Sequence, residues 1–169
     1  MTHTLKTRLC SLAALLMLAV ATATAQRAPD FAEKFVSQCK GDTMVTCVTV
    51  SPKMMEQLAG RADSSHEADM AMAIQKLRSM RIVSAPKGYY ERAEKLLKKN
   101  ARRFRAMHDF RSDKLRGAFY SRTNRKGQIV ELIMLRENLT DGQLTVVCLT
   151  GDIDTEFLCF LYNNKSFKD

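Results

Sequence analysis

The sequence predicts an α+β domain in which a few helices pack against a largely antiparallel sheet of about five strands. The first observation is a change of period. Apolar residues recur mainly at helical spacing in the first part of the chain and alternate with a period of two in the last third. The second observation is that short turns containing glycine connect the last strands, which is typical of antiparallel hairpins. Residues 26–169 are numerous enough for one domain with its own core.

Residues 1–25 have the three parts of a secretory signal peptide. Two basic residues are followed by an apolar run from Leu9 to Val20, and Ala23-Thr24-Ala25 supplies the small residues that a signal peptidase requires. The apolar run is too short to span a bilayer, so we expect no transmembrane segment after cleavage. Cys10 lies at the start of this run rather than after it, and we therefore expect no lipoprotein anchor. The sequence predicts an exported protein, periplasmic or secreted.

The first elements after the predicted signal peptide, which we call the leader, alternate between helix and strand. Asp30 is a typical N-cap for a short amphipathic helix that ends near Lys40-Gly41. Thr43 to Val50 is rich in β-branched residues and predicts a strand, after which Ser51 and Pro52 start a second helix. The following elements are, in order, a helix end at Gly60, a polar linker at Arg61 to Ser65, a helix at Glu67 to Leu77, a strand at Arg78 to Ala85, and a basic amphipathic helix at Tyr89 to Phe104.

Three strands and a short helix are predicted for the last third of the chain. The strands are Gly117 to Thr123, Gln128 to Glu137 and Gln143 to Thr150, and the middle one is apolar on both faces, as expected of a central strand. Gly151 to Asp154 then opens the final helix, with Asp154 as its N-cap. The spacing of Asp152 and Asp154 is also found in calcium loops, but such loops are longer and need further oxygen ligands.

Four cysteines follow the leader: Cys39, Cys47, Cys148 and Cys159. An even number in an exported protein permits two disulfides, in three alternative pairings. Cys47, Cys148 and Cys159 have apolar neighbours, and buried thiols are the alternative for all four, because a free cysteine behaves as a small hydrophobic residue. Both alternatives remain open at this point.

The charge of the chain is unevenly distributed. The formal net charge is +9, and the segment from Lys87 to Lys126 holds fourteen basic and four acidic residues. Such a block would indicate nucleic acid inside a cell, but after export we expect an anionic membrane, a glycan or an envelope protein instead. A solvated helix face that only confers solubility is the alternative. The residues expected to make the contact are Lys95, Lys98, Lys99, Arg102, Arg103 and Arg105, with Tyr89 and Tyr90 as aromatic contacts unless they pack on the sheet.

Five blocks of the chain together resemble a known family. They are Phe31-Ala32-Glu33-Lys34-Phe35, Thr46 to Met55, Lys76 to Ser84, Glu131 to Leu135 and Leu149 to Asp154. In this order they are similar to the family called domain of unknown function 4252, small exported proteins of the bacterial envelope. The resemblance implies a single exported domain. It implies no catalytic residue, no cofactor and no assigned activity.

The sequence therefore predicts a non-enzymatic binding or interaction module without a cofactor. One alternative is copper handling, because thioethers and imidazole suit Cu(I), although methionines at helical spacing also fill cores. Its candidate ligands are Met54, Met55, Met70, Met72 and His66. A further alternative is a small hydrolase that uses His66 or His108, which have carboxylate neighbours. The chain has no Gly-x-Ser-x-Gly motif and no zinc-binding spacing to support that activity.

Overall fold

The computed structural model describes residues 28–59 and 74–163. The strands are β1 Thr46–Val50, β2 Leu77–Ala85, β3 Arg105–Arg111, β4 Leu115–Thr123, β5 Ile129–Asn138 and β6 Leu144–Ile153. The helices are α1 Phe31–Gln38, α2 Pro52–Ala59, α3 Tyr89–Lys99 and α4 Thr155–Asn163. The strands form one antiparallel sheet in the order β1-β2-β6-β5-β4-β3, so that β6 lies between β2 and β5.

The predicted α+β class and the antiparallel sheet are confirmed, with six strands instead of about five. The additional strand is β3, to which the sequence analysis assigns no element, and the helix before it, predicted to extend to Phe104, is shorter than predicted. The helix ends at Lys99, and Asn100 caps it: its backbone N–H donates to the carbonyl of Leu97 at 2.9 Å, three residues earlier, and its side-chain amide donates to the carbonyl of Leu96 at 2.8 Å. β3 has no alternating pattern to reveal it, since all but one of its side chains are exposed.

The last strand also runs further than predicted. β6 continues through Gly151 to Ile153, and Gly151 lies directly opposite Leu77 of β2. A side chain at Gly151 would collide with the backbone of Lys76, so glycine is required for this close approach. α4 starts after this strand with Asp154 as its N-cap, because the Asp154 carboxylate accepts the N–H of Phe157 at 2.8 Å. The capping interpretation of Asp154 is confirmed.

Several predictions lie outside the described residues. They are the leader at 1–25, the helix end at Gly60, the linker at 61–65 and most of the helix at 67–77. Leu77, predicted to end that helix, is the first residue of β2.

Two clusters of buried side chains cover the two faces of the sheet. Neighbouring residues of β5 belong to different clusters, Ile133 to the larger and Leu132 to the smaller, because side chains alternate across a strand. α1 and α3 cover the face of the larger cluster, which contains Phe31 and Leu97. α2 and α4 contribute Met55 and Phe157 to the smaller cluster on the opposite face.

The described part of the chain has no unpartnered buried side-chain nitrogen or oxygen. No helix in the described ranges is long and apolar enough to cross a membrane.

Candidate functional site

Helix α3 and the turn after it position the six basic residues that the sequence singles out. The helix buries Ala93, Leu96 and Leu97 against the sheet and turns its opposite face to solvent. Its basic side chains follow that polar face, and the turn carries the pattern into β3. Of the six residues, Lys95, Lys98, Lys99, Arg102 and Arg105 are exposed and Arg103 is half-buried.

Tyr89 and Tyr90 are not part of this surface. Both rings belong to the larger core cluster, with 9% and 6% of their surface exposed. Burial raises the pKa of Tyr90 to about 12, and the Arg116 guanidinium lies over its ring at 4.3 Å. Of the two alternatives for these tyrosines, packing on the sheet is therefore the one that the structure has, because both begin the buried stripe of α3.

Two of the six cations have structural partners. Lys98 forms an ion pair with Glu94 at 2.9 Å, one helical turn earlier. Arg103 donates to the carbonyl of Pro29 at 2.9 Å, and its guanidinium lies 5.3 Å from the centre of the Phe104 ring. Arg103 therefore ties the turn after α3 to the start of α1.

Four cations remain without an ion pair within the described ranges: Lys95, Lys99, Arg102 and Arg105. We call these four residues the basic surface. The acidic side chains of α3 do not neutralise it, because Glu94 is paired with Lys98 and Glu91 is paired with Arg116 of β4. Lys99 also lies in the last turn of α3, where a cation stabilises the helix end.

The fold brings further cations to the same end of the sheet. One of them is Lys34 of α1. Desolvation lowers the pKa of Lys34, the positive charge of Arg103 lowers it further, and Arg122 of β4 has a smaller effect in the same direction. Arg105 pairs with Ser121, close to the β4–β5 turn that carries the exposed residues Arg125 and Lys126. Sequence reasoning does not identify Lys34, because no local pattern relates α1 to a turn some seventy residues later.

A buried ionic cluster lies between α1 and the sheet. The Glu131 side chain is fully buried and accepts the N–H of Phe31 at 2.6 Å and the Nε–H of Arg122 at 2.6 Å. Arg81 of β2 binds both Asp30, the N-cap of α1, and Glu33. The cluster holds α1 on the sheet. It is internally paired and largely shielded from solvent, as expected for a structural role.

The methionine pair proposed as a copper ligand set does not converge. Met54 is 48% exposed, whereas the adjacent Met55 is 2% exposed and lies in the smaller core cluster. The other proposed ligands, Met70, Met72 and His66, lie outside the described residues. In the described ranges no group of three or more His, Cys, Asp or Glu side chains is arranged to hold a metal ion.

His108 does not form the His–carboxylate pair that a hydrolase would use. It is exposed on β3 opposite Phe119, while Asp109 is opposite Ala118 and therefore points to the other face of the sheet. The second candidate, His66, lies outside the described residues.

Cys39, Cys47, Cys148 and Cys159 are all free thiols in the structure. Cys39 and Cys148 are buried, whereas Cys47 and Cys159 are exposed. Burial, assisted by the nearby charge of Glu131, raises the pKa of Cys148, so this thiol stays protonated. The buried-thiol interpretation is therefore right for two of the four residues and wrong for the other two.

No curated protein matches the sequence significantly. The family model described as domain of unknown function (DUF4252) matches residues 39–158, which include all six strands and the start of α4. The match covers most of the 169 residues, and the chain therefore belongs to the family described as domain of unknown function (DUF4252).

Proposed function

We propose that this protein is an exported, non-enzymatic interaction module whose basic surface binds anionic headgroups at the membrane of the cell envelope. The observation that carries the proposal is the set of four exposed cations without ion pairs, Lys95, Lys99, Arg102 and Arg105. Unpaired exposed cations keep their full charge for a partner, whereas a paired cation such as Lys98 presents a dipole. The leader at 1–25 supports the compartment.

The composition of the surface favours lipid headgroups over an acidic protein. Protein interfaces are enriched in aromatic residues and depleted of lysine, and the two tyrosines of α3 are buried. Flexible lysine and arginine side chains around one helix end suit a diffuse anionic layer, to which each contributes about 1 kcal/mol near the surface. An acidic protein partner is the competing interpretation, and the experiment below separates the two.

The test compares two variants of equal charge. Lys95→Glu/Lys99→Glu/Arg102→Glu reverses three members of the basic surface. Lys87→Glu/Arg111→Glu/Lys114→Glu reverses three exposed residues near the opposite end of the sheet. We expect the first variant to lose at least a hundredfold in affinity for vesicles containing phosphatidylglycerol, since three contributions of about 1 kcal/mol are lost. The second variant should lose much less.

Binding is measured by vesicle sedimentation at low and high salt, with circular dichroism to verify the fold. High salt should weaken the wild-type binding, because exposed charges are screened. Equal losses in both variants would show that net charge alone is responsible. Failure of the wild-type protein to bind anionic vesicles would overturn the lipid proposal in favour of an acidic protein partner.

A further inference from the structure

Strand β1 forms one edge of the sheet and is open to solvent. The strand order begins with β1, and four of its five side chains are exposed. Val48, at the middle of the strand, is 56% exposed. The outer backbone N–H and C=O groups of an edge strand face away from the sheet and are a template for another strand.

The two edges of the sheet are protected to different degrees. β3 carries Arg105, Asp109 and Arg111 and has a register irregularity between Ala106 and His108, and both features oppose pairing with a further strand. β1 pairs with β2 in regular register over all five residues. The run from Thr43 to Pro52 carries no charge. Neither protective feature of β3 is present on β1.

Exposed apolar side chains concentrate at the same edge. Among the described residues, the four exposed large apolar side chains are Met44 at 68%, Val48 at 56%, Met54 at 48% and Met107 at 44%. The first three lie in β1 or within four residues of it, and the fourth lies on β3. β1 and its surroundings are thus the most apolar exposed surface that the structure describes.

We infer that β1 pairs in antiparallel fashion with β1 of a second copy of this chain. Two identical strands related by a two-fold axis are complementary to each other, because each supplies the same unpaired backbone groups. The excess positive charge of the chain lies in the segment from Lys87 to Lys126, so two copies repel each other through that segment, and the uncharged edge at β1 is where they approach at low electrostatic cost. β1 and β3 are opposite edges, so this pairing leaves the basic surface free.

The length of β1 sets the register of the pair. Full overlap of five residues is centred on Val48, which then lies opposite Val48 of the second copy, while Cys47 lies opposite Thr49. The two Cys47 residues are then on the same face, diagonally offset by two positions, with their Cα atoms roughly 8 Å apart. This exceeds the span of a disulfide, so the thiols are close without being directly bonded.

A five-residue strand and its flanking methionines bury less surface than a standard protein interface, and we expect a weak dimer. The protein, expressed with its own leader, is studied by analytical ultracentrifugation over a wide range of concentration. We expect the wild type to dimerise as concentration rises and Val48→Lys to remain monomeric, because two lysines meet at the axis. Met107→Lys, a matched change on the other edge, should dimerise as the wild type does.

Mixing Val48→Lys with Val48→Glu should restore a dimer, since opposite charges then face each other. This mixture also guards against a folding defect, because misfolded variants would not rescue each other. A wild type that is monomeric at every concentration would overturn the inference. Dimerisation that survives Val48→Lys would overturn it as well.

Crosslinking through Cys47 provides a second measurement of the same contact. Cys159→Ser removes the other exposed thiol of the described chain and leaves Cys47 for a short bifunctional thiol reagent. We expect a crosslinked dimer in this background, none in Cys47→Ser/Cys159→Ser, and strong reduction by Val48→Lys. A crosslink that Val48→Lys leaves intact would place the contact elsewhere and contradict the inferred pairing.

Discussion

Glu131 shows how one residue can couple a helix to the sheet. Its carboxylate is fully buried near the start of β5 and accepts from the first N–H of α1 and from Arg122. A buried charge is tolerated only when it is paired and hydrogen-bonded, and both conditions hold here. The sequence contains the glutamate in an apolar strand, but its partners come from two other elements.

Replacing Glu131 should therefore be costly. Glu131→Ala leaves Arg122 and the N–H of Phe31 without their acceptor, and we expect a loss of about 3–5 kcal/mol in the free energy of unfolding. Glu131→Gln keeps an oxygen that can accept from Phe31 and should cost less. Urea unfolding measures both, with Glu156→Ala as the control, because Glu156 is 76% exposed and its ion pair is worth at most about 1 kcal/mol. Equal stability of Glu131→Ala and the control would show that the buried pairing is unimportant.

At the scale of the element, the N-caps of the helices are predicted well, whereas the points at which elements end are predicted less well. The caps Asp30 and Asp154 are read correctly from the sequence, since a cap depends on a side chain and a backbone N–H three residues later. The end of α3 and the start of β3 are not. Nothing in the charged run after Lys99 distinguishes continued helix from an exposed strand, and the pairing of β3 with β4 decides the outcome.

The two aspartates beside α4 should behave differently. Asp154 caps the helix and binds Lys76 at 2.8 Å, whereas the exposed Asp152 side chain lies in β6 before the cap. α4 is too short to be stable in isolation and depends on its cap and on the buried Phe157. We expect Asp154→Ala to accelerate amide hydrogen exchange at Thr155 to Leu158 and Asp152→Ala to leave it unchanged. Faster exchange in Asp152→Ala than in Asp154→Ala would contradict this and would indicate that Asp152 does more than occupy an exposed position of β6.

At the scale of the whole molecule, carboxylates that are hydrogen-bonded or ion-paired in several elements make the free energy of unfolding depend on pH. The pKa of Asp42 is lowered chiefly by the Tyr89 hydroxyl, that of Glu91 by Arg116 and that of Asp154 by Lys76. A carboxyl with a lower pKa in the folded state binds fewer protons than in the unfolded state. Its stabilising contribution is therefore present above the unfolded pKa values, about 3.9 for Asp and 4.3 for Glu, and is lost as the pH falls through the folded values.

We accordingly expect Tm to be nearly constant just above pH 5 and to fall below about pH 4. The variant Asp42→Asn/Glu91→Gln/Asp154→Asn should have a lower Tm at neutral pH and a flatter decline in acid, because the three carboxyls no longer titrate. Thermal unfolding followed by circular dichroism between pH 2 and 7 tests this. If the Tm of the variant falls in acid as steeply as that of the wild type, other carboxyl groups are responsible for the pH dependence.

Residues a few positions apart carry enough information to predict the α+β class, the caps, the hairpin turns, the central strand β5 and the family. These features arise from periodicity, capping and turn chemistry, which act over less than two turns of chain. The identity of the unpaired cations and of the open edge is different in kind. Which cations stay unpaired and which strand edge stays open depend on contacts between distant parts of the chain. For example, Ser79 of β2 hydrogen-bonds Thr150 of β6, 71 positions later. Because β6 lies beside β2 in the sheet, β1 is left at the edge. Long-range pairing is set by how the two faces of the sheet bury their apolar side chains, and no local pattern encodes that choice.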